Sequence, residues 1–264
     1  MQKSPIKKKV EKSPKKTQKP KIEVLYEDND VVAINKPAGL MVHPDSKNSE
    51  GVTLCDWIID RYGDAIKEVG EPMTLADGTI LYRPGIVHRL DRETSGVLLI
   101  AKNQSAFTFF KKQFQNHTIL KKYLAFVYGL VKTDRGVINR PIARSRSDFR
   151  RWSAQAGSRG EAREAVTYYR VLGRKEGEGD TYSEIGAHSA TLLELEPKTG
   201  RTHQIRVHCK SMHHPVVADP LYEPENLKAT HLLGFDRLAL HARSISFMLA
   251  DGVQKTVEAP FPKD

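Results

Sequence analysis

Residues 85–101 read GIVHRLDRETSGVLLIA, a charged, turn-rich stretch that runs straight into five apolar residues. VLLIA at 97–101 reads as a buried strand, and the segment before it places Asp91 between Arg89 and Arg92. A side chain carried on the entry to a core strand is held in a fixed position. Nearby cations would keep the Asp91 carboxylate ionised, as a nucleophile or a charge stabiliser requires. Thr94, Ser95 and Gly96 supply a turn in which Gly96 can take a positive φ. A loop salt bridge would use the same residues, so the residue types alone leave a functional and a structural Asp91 both open.

Outward from this stretch the chain alternates strands with a few helices. IEVLYEDNDVVAINKPAG at 22–39 reads as strand, acidic turn, buried strand and a Pro/Gly turn at Lys36-Pro37-Ala38-Gly39. TLCDWIIDRY at 53–62 has Leu54, Trp57 and Ile58 at helical spacing. Residues 63–85 are polar, with several glycines and prolines. Residues 104–116 form a second helical pattern with Phe107, Phe110 and Phe114 on one face, a core face rather than a stacking platform. YLAFVYGL at 123–130, EAVTYYRVL and TLLELEP read as strands. Between them, residues 140–163 hold Arg140, Arg144, Arg146, Arg150, Arg151, Arg159 and Arg163, interleaved with Phe149 and Trp152. Their serines and glycines predict an exposed loop; arginine beside aromatics suits RNA backbone contact and base stacking, and a merely solvated loop is the alternative. Strands in runs with few helices predict an α+β fold with a mixed, mostly antiparallel central sheet flanked by helices and loops.

The net charge of +10 is unevenly placed: residues 1–21 hold nine lysines against the single acid Glu11 and so carry most of it. That stretch lacks aromatics and is expected to be a disordered tail, with residues 22–264 forming the folded body. It would serve either as a phosphate tether or as a solubilising or localising leader. Cys55 and Cys209 stand alone without a CxxC spacing, which fits a reducing compartment and two buried thiols. No apolar run reaches the eighteen residues of a membrane span, and the first residues do not read as a secretory signal. A cytoplasmic protein with no membrane association and no obligate protein partner, a monomer, is expected.

HRLDRETSG resembles the signature of the RluA-type pseudouridine synthases, whose catalytic aspartate occupies the position of Asp91. YEDNDVVAINKPAGLMVHP, KKYLAFVYG, GSRGEAREAVTYYRVL, LLELEPKTGRTHQIRVHC, HHPVVADPLY and LALHARSISF resemble further family blocks in the family's order, covering about residues 22–262. The resemblance implies the family's fold and isomerisation of a uridine in ribosomal or transfer RNA. The N1–C1′ bond breaks, the uracil rotates, and C5 bonds to C1′, with no cofactor needed. It also implies that Arg206 pairs with Asp91, that Arg89 takes part in extruding the target base, and that Tyr123 stacks on the uracil and assists removal of the C5 proton. Many members carry an S4-type RNA-binding domain before the catalytic one. Here the lysine-rich stretch occupies that place, so target selection is expected to rest on the catalytic domain, the arginine stretch and the tail.

The Arg206 block also reads from its residues. Thr202 is the expected N-cap, and Ile205, Cys209 and Met212 make one apolar helical face. Arg206 lies about 100° round from Ile205, where a guanidinium can meet a carboxylate in a bidentate pair. His203, His208, His213 and His214 cluster nearby, but His203 and His208 are five apart and diverge on a helix, so no metal site is expected. His88 and His203 either contact RNA phosphate or hold loops; the residues leave both open. A non-catalytic RNA-binding or ribosome-assembly protein with this fold would be signalled by loss of the aspartate or its arginine. A glycoside or nucleoside hydrolase would want a second carboxylate facing the first. Neither signal is present. Deleting residues 1–21 is expected to weaken RNA affinity and flatten its dependence on salt; an unchanged slope of affinity against salt concentration would show that this stretch meets no phosphate.

Overall fold

Asp28 turns the chain between the first two strands by accepting the backbone N–H groups of Asp30 and Val31, each at 2.8 Å. The hairpin it makes, β1 (Glu23–Glu27) and β2 (Val31–Lys36), matches the expected strand, acidic turn and buried strand. The computed structural model describes residues 20–43, 51–74, 78, 80–155, 158–177, 189–224 and 234–262. The lysine-rich stretch lies outside these except for Pro20 and Lys21.

Strand β5 (Ser95–Ala101) pairs antiparallel with β2, and every residue of β5 is buried. Both faces of this pair are covered. On one side helix α2 (Gln104–Gln115) packs Phe107 and Phe110 against Val31, Ala33, Val97 and Leu99. On the other, helix α1 (Leu54–Tyr62) packs Leu54 and Ile58 against Val32, Ile34, Leu98 and Ile100. Two-sided burial is why VVAI and VLLIA are continuous apolar runs instead of alternating ones. Each helix has a side-chain cap at its start. Thr53 and Asp56 form a reciprocal capping box on α1, and Asn103 accepts the Ala106 N–H on α2. The polar segment after α1 holds a 3₁₀ turn, Asp64–Glu68, and a short hairpin of β3 (Met73–Thr74) and β4 (Ile80–Leu81).

The sheet continues through β6 (Leu120–Tyr128), β7 (Arg135–Asn139), β11 (Val166–Lys175), β12 (Ala190–Pro197), β13 (Leu240–Met248) and β14 (Gln254–Glu258). Its order is β1–β2–β5–β13–β6–β12–β11–β7, with β14 also alongside β13. Helix α3 (Gln204–Ser211) covers the second half, setting Ile205 and Cys209 against Ala125, Val127, Leu193 and Leu195. The fold is α+β with a mixed, mostly antiparallel sheet. Residues 140–163, expected as a loop, instead build a small sheet of β8 (Ile142–Arg144), β9 (Trp152–Ser153) and β10 (Arg159–Arg163), because Ile142, Trp152 and Ala165 find apolar cover in Val207 and Tyr222. Among the described residues no helix is long and apolar enough to cross a membrane.

One pairing in the main sheet is parallel, β5 with β13, and it lasts only from Ser95–His241 to Gly96–Ala242 before β14 takes over as neighbour. Gly96 is therefore a strand residue and not the turn residue expected from TSG. Its φ is +113°, and a Cβ there would lie 2.2 Å from the Ala242 carbonyl oxygen. Only glycine allows both the backbone angle and the approach. Gly96→Ala is expected to cost about 3 kcal/mol or more, read as a lowered urea midpoint with an unchanged m-value.

Candidate active site

Asp91 lies on the loop that enters β5 at this junction, and the loop is latched from below. Lys36 ends β2 fully buried, and its Nζ donates to the carbonyls of Pro37, Leu40 and Arg92 at 2.8, 2.9 and 2.9 Å. Three carbonyls take the three protons of one ammonium. Burial draws the Lys36 pKa down to about 7, against the opposing pull of Glu93 and Asp91. The Gly39 N–H donates to the same Arg92 carbonyl at 2.9 Å, and Arg92 Nε returns a bond to the Gly39 carbonyl at 3.1 Å. The KPAG turn thus fixes the residue next to Asp91.

From the other side comes Arg206 on α3, only 4% exposed. Its Nε and Nη2 donate to the two oxygens of Asp219, each at 2.7 Å, and its Nη1 donates to Asp91 Oδ2 at 3.1 Å. Asp219 is fully buried, and its Oδ1 also accepts the N–H groups of Leu221 and Tyr222. The Tyr222 ring lies 5.0 Å from the guanidinium carbon. Burial by itself would lower the Arg206 pKa, but the carboxylates of Asp219 and Asp91 carry it above the ordinary arginine value. Neither neighbour in sequence pairs with Asp91: Arg89 Nη1 meets His43 Nε2 at 3.1 Å, and Arg92 turns to Gly39 and Glu93.

Asp91, Arg89, Tyr123, His203 and Arg206 line one cleft of about 460 Å³. Tyr123 projects from β6, where it sits between Ala242 of β13 and Leu195 of β12. Burial and then the Asp91 charge push its phenol well above the usual value, so it stays protonated. His88 Nε2 accepts the Leu99 N–H at 2.9 Å and its ring stacks on Phe114 at 4.5 Å. Burial pulls His88 down to about 3, so it is a neutral loop-holding residue and brings no positive charge to a phosphate.

The helix entry differs from expectation. Residue His203, not Thr202, stands at the N-cap, in a left-handed conformation with φ of 56° and without a side-chain cap. Gln204 supplies the fastening: its Oε1 accepts from Thr199 Oγ1 and the Arg201 N–H, and its Nε2 donates to the Val166 carbonyl and Thr167 Oγ1. A threonine cap is unnecessary because glutamine ties the turn to β11. His208 points elsewhere, to Thr167 Oγ1 and the Arg140 carbonyl. Nothing in their local sequence marks Lys36, Asp219 or Tyr222 for a role at the site, although all three stand in segments that resemble family blocks. Asp219 before Pro220 reads as a turn residue, and its partner Arg206 stands on a separate element, α3. Asp219→Asn is expected to lower stability by about 3 kcal/mol and to depress turnover with it, measured by denaturant titration beside an activity assay.

A model of the RNA pseudouridylate synthase family matches residues 30–211. An uncharacterized RNA pseudouridine synthase of Bacillus subtilis is 35% identical over 92% of this chain and 70% of its own length. The ribosomal large subunit pseudouridine synthase D of Zymomonas mobilis is 34% identical, again over 92% of this chain and 70% of its own. The human RNA pseudouridylate synthase domain containing 1 shares the fold, with a TM-score of 0.69 at 24% identity over 93% of this chain and 87% of that one. With a family match over most of its length and relatives above 30% identity, the chain belongs to the RNA pseudouridylate synthase family, of the RluA type, whose members are isomerases acting on RNA.

Proposed function

We propose that Asp91 is the catalytic carboxylate and that a uridine of large-subunit ribosomal RNA is the substrate. The contact that carries the first part is Arg206 Nη1 on Asp91 Oδ2, an ion pair supported from behind by a buried carboxylate. Both side-chain contacts of Asp91, to Arg206 and at longer range to His203, fall on Oδ2. Oδ1 has no side-chain partner among the described residues and is left for the substrate. A carboxylate so held serves attack on carbon or stabilisation of oxocarbenium character while the glycosidic bond breaks. The second part rests on relatives named for the large ribosomal subunit; transfer RNA is the alternative substrate class.

Tyr123 supplies a flat face for the uracil beside Asp91. Once Asp91 bonds to substrate its charge is consumed, which removes one of the two causes that keep the Tyr123 phenol protonated and favours its help with the C5 proton. Arg89 is exposed at the rim, where it can follow the base as it leaves the stack. The small arginine sheet is the proposed docking surface for the RNA strand. Arg144 and Arg159 stand opposite each other in register, a like-charge pairing that a polyanion relieves. The side chains of Arg146, Arg159 and Arg163 have no hydrogen-bond or ion-pair partner among the described residues, and Phe149 is 69% exposed. The protein is taken to work as a cytoplasmic monomer, and its two free, buried cysteines suit a reducing compartment.

Asp91→Asn keeps the side-chain shape and removes the charge. Pseudouridine formation in ribosomal RNA is expected to fall about a thousandfold or more while RNA binding persists, measured by pseudouridine mapping and filter binding. Retained turnover would overturn the assignment of Asp91, and an unmodified large-subunit RNA in cells holding the protein would overturn the substrate.

A further inference from the structure

We propose that His203 is a positioning residue for Asp91, locked by Tyr222 as the neutral tautomer with its proton on Nε2. The inference rests on the reading of Asp91 as the catalytic carboxylate.

The Tyr222 hydroxyl is the decisive atom. It is buried, accepts the Trp152 backbone N–H at 2.9 Å, and lies 2.9 Å from His203 Nδ1. A phenol has one proton to give. Among the described residues the hydroxyl meets only the Trp152 N–H, which is itself a donor, and His203 Nδ1, so Nδ1 is the one acceptor there for that proton. Nδ1 then carries a lone pair, and the proton of the neutral ring sits on Nε2. Burial, which lowers the basicity of this ring, keeps it neutral despite the nearby Asp91 charge. His203 Nε2 lies 3.8 Å from Asp91 Oδ2, the oxygen that Arg206 Nη1 already meets at 3.1 Å. Such a distance is long for a hydrogen bond in an open cleft and shortens when substrate expels water. The backbone supports the same purpose: His203 holds φ of 56°, and Ala218, next to Asp219, holds φ of 54°. Unfavourable angles at non-glycine residues persist where surrounding contacts over-determine them.

Two donors on Oδ2 fix the plane of the carboxylate and direct Oδ1 at the substrate, so His203 acts through Asp91 and not on the reacting bond. The chain of bonds also reaches the arginine sheet, since Trp152 belongs to β9.

The test uses the full chain and four variants. His203→Gln returns an amide N–H close to the place of Nε2, whereas His203→Asn returns one close to the place of Nδ1. Asparagine tolerates left-handed backbone better than glutamine does, so backbone strain works against the expected ranking. His203→Gln is expected to retain kcat within about tenfold, and His203→Asn to lose about a hundredfold, with KM for RNA little changed in either. Tyr222→Phe keeps the ring over Arg206, and its expected loss in kcat is about tenfold. Imidazole ¹⁵N spectra of the wild type, assigned by the signal missing in His203→Gln, should show the Nε2–H form, and Tyr222→Phe should show a mixture. Equal loss in the Gln and Asn variants, or an Nδ1–H form in the wild type, overturns the inference. Asp91→Asn separates the two readings: activity in that variant sinks the catalytic assignment, whereas an inactive Asp91→Asn with equal Gln and Asn losses sinks only the role of His203.

Discussion

A guanidinium held between two carboxylates organises this molecule. Burying an isolated ion in a protein interior is prohibitively unfavourable, and a buried pair is tolerated only when its geometry is good and further hydrogen bonds support it. Arg206 and Asp219 meet that condition through two bonds of 2.7 Å, with Leu221 and Tyr222 N–H groups on the remaining valence of Asp219. The third contact of Arg206 goes to Asp91, which is partly open to the cleft. The helix that carries Arg206, the loop that carries Asp219 and the entry to β5 are thereby held to one another, and the network gains stiffness because all three guanidinium nitrogens of Arg206 are bonded.

That arrangement works only because the two halves of the sheet meet where they do. β13 touches β5 in parallel over two residue pairs and pairs antiparallel with β6 on its other side. The loop holding Asp91 and the strand holding Tyr123 are consequently close neighbours across β13, though they are far apart in the chain. Lys36 adds the third constraint, tying the KPAG turn to the carbonyl of Arg92. Each group that faces the cleft is thus anchored in a strand, a helix or a latched loop, which is the support that positional precision requires.

Much of this was legible beforehand, for physical reasons that differ by residue. VVAI and VLLIA were readable as buried strands because two-sided burial leaves no polar position. Phe107 and Phe110 were readable as core because helical spacing puts them on one face. Arg206 was placed on a helix, but at the border of its apolar face, whereas it is buried; a pattern count treats arginine as polar and cannot see the carboxylate that makes its burial tolerable. Thr202 failed as a cap because Gln204 reaches back to Thr199 and across to β11. The arginine-rich stretch failed as a loop because its few apolar residues pack against Tyr222, which lies about seventy residues further on.

Local pattern therefore determined the α+β class, the strands and helices around the cleft, and, through the ordered family blocks, the family itself. These follow from periodicity and residue type, which act over short spans of chain. Tertiary structure alone decided that Asp219 sits behind Arg206, that Gly96 is a close-approach strand residue, and that Tyr222 joins His203 to the arginine sheet. Each is a contact between segments that local sequence does not couple: the partner of a buried charge, the backbone facing a missing Cβ, and the acceptor of a phenol proton are all set by how distant elements pack.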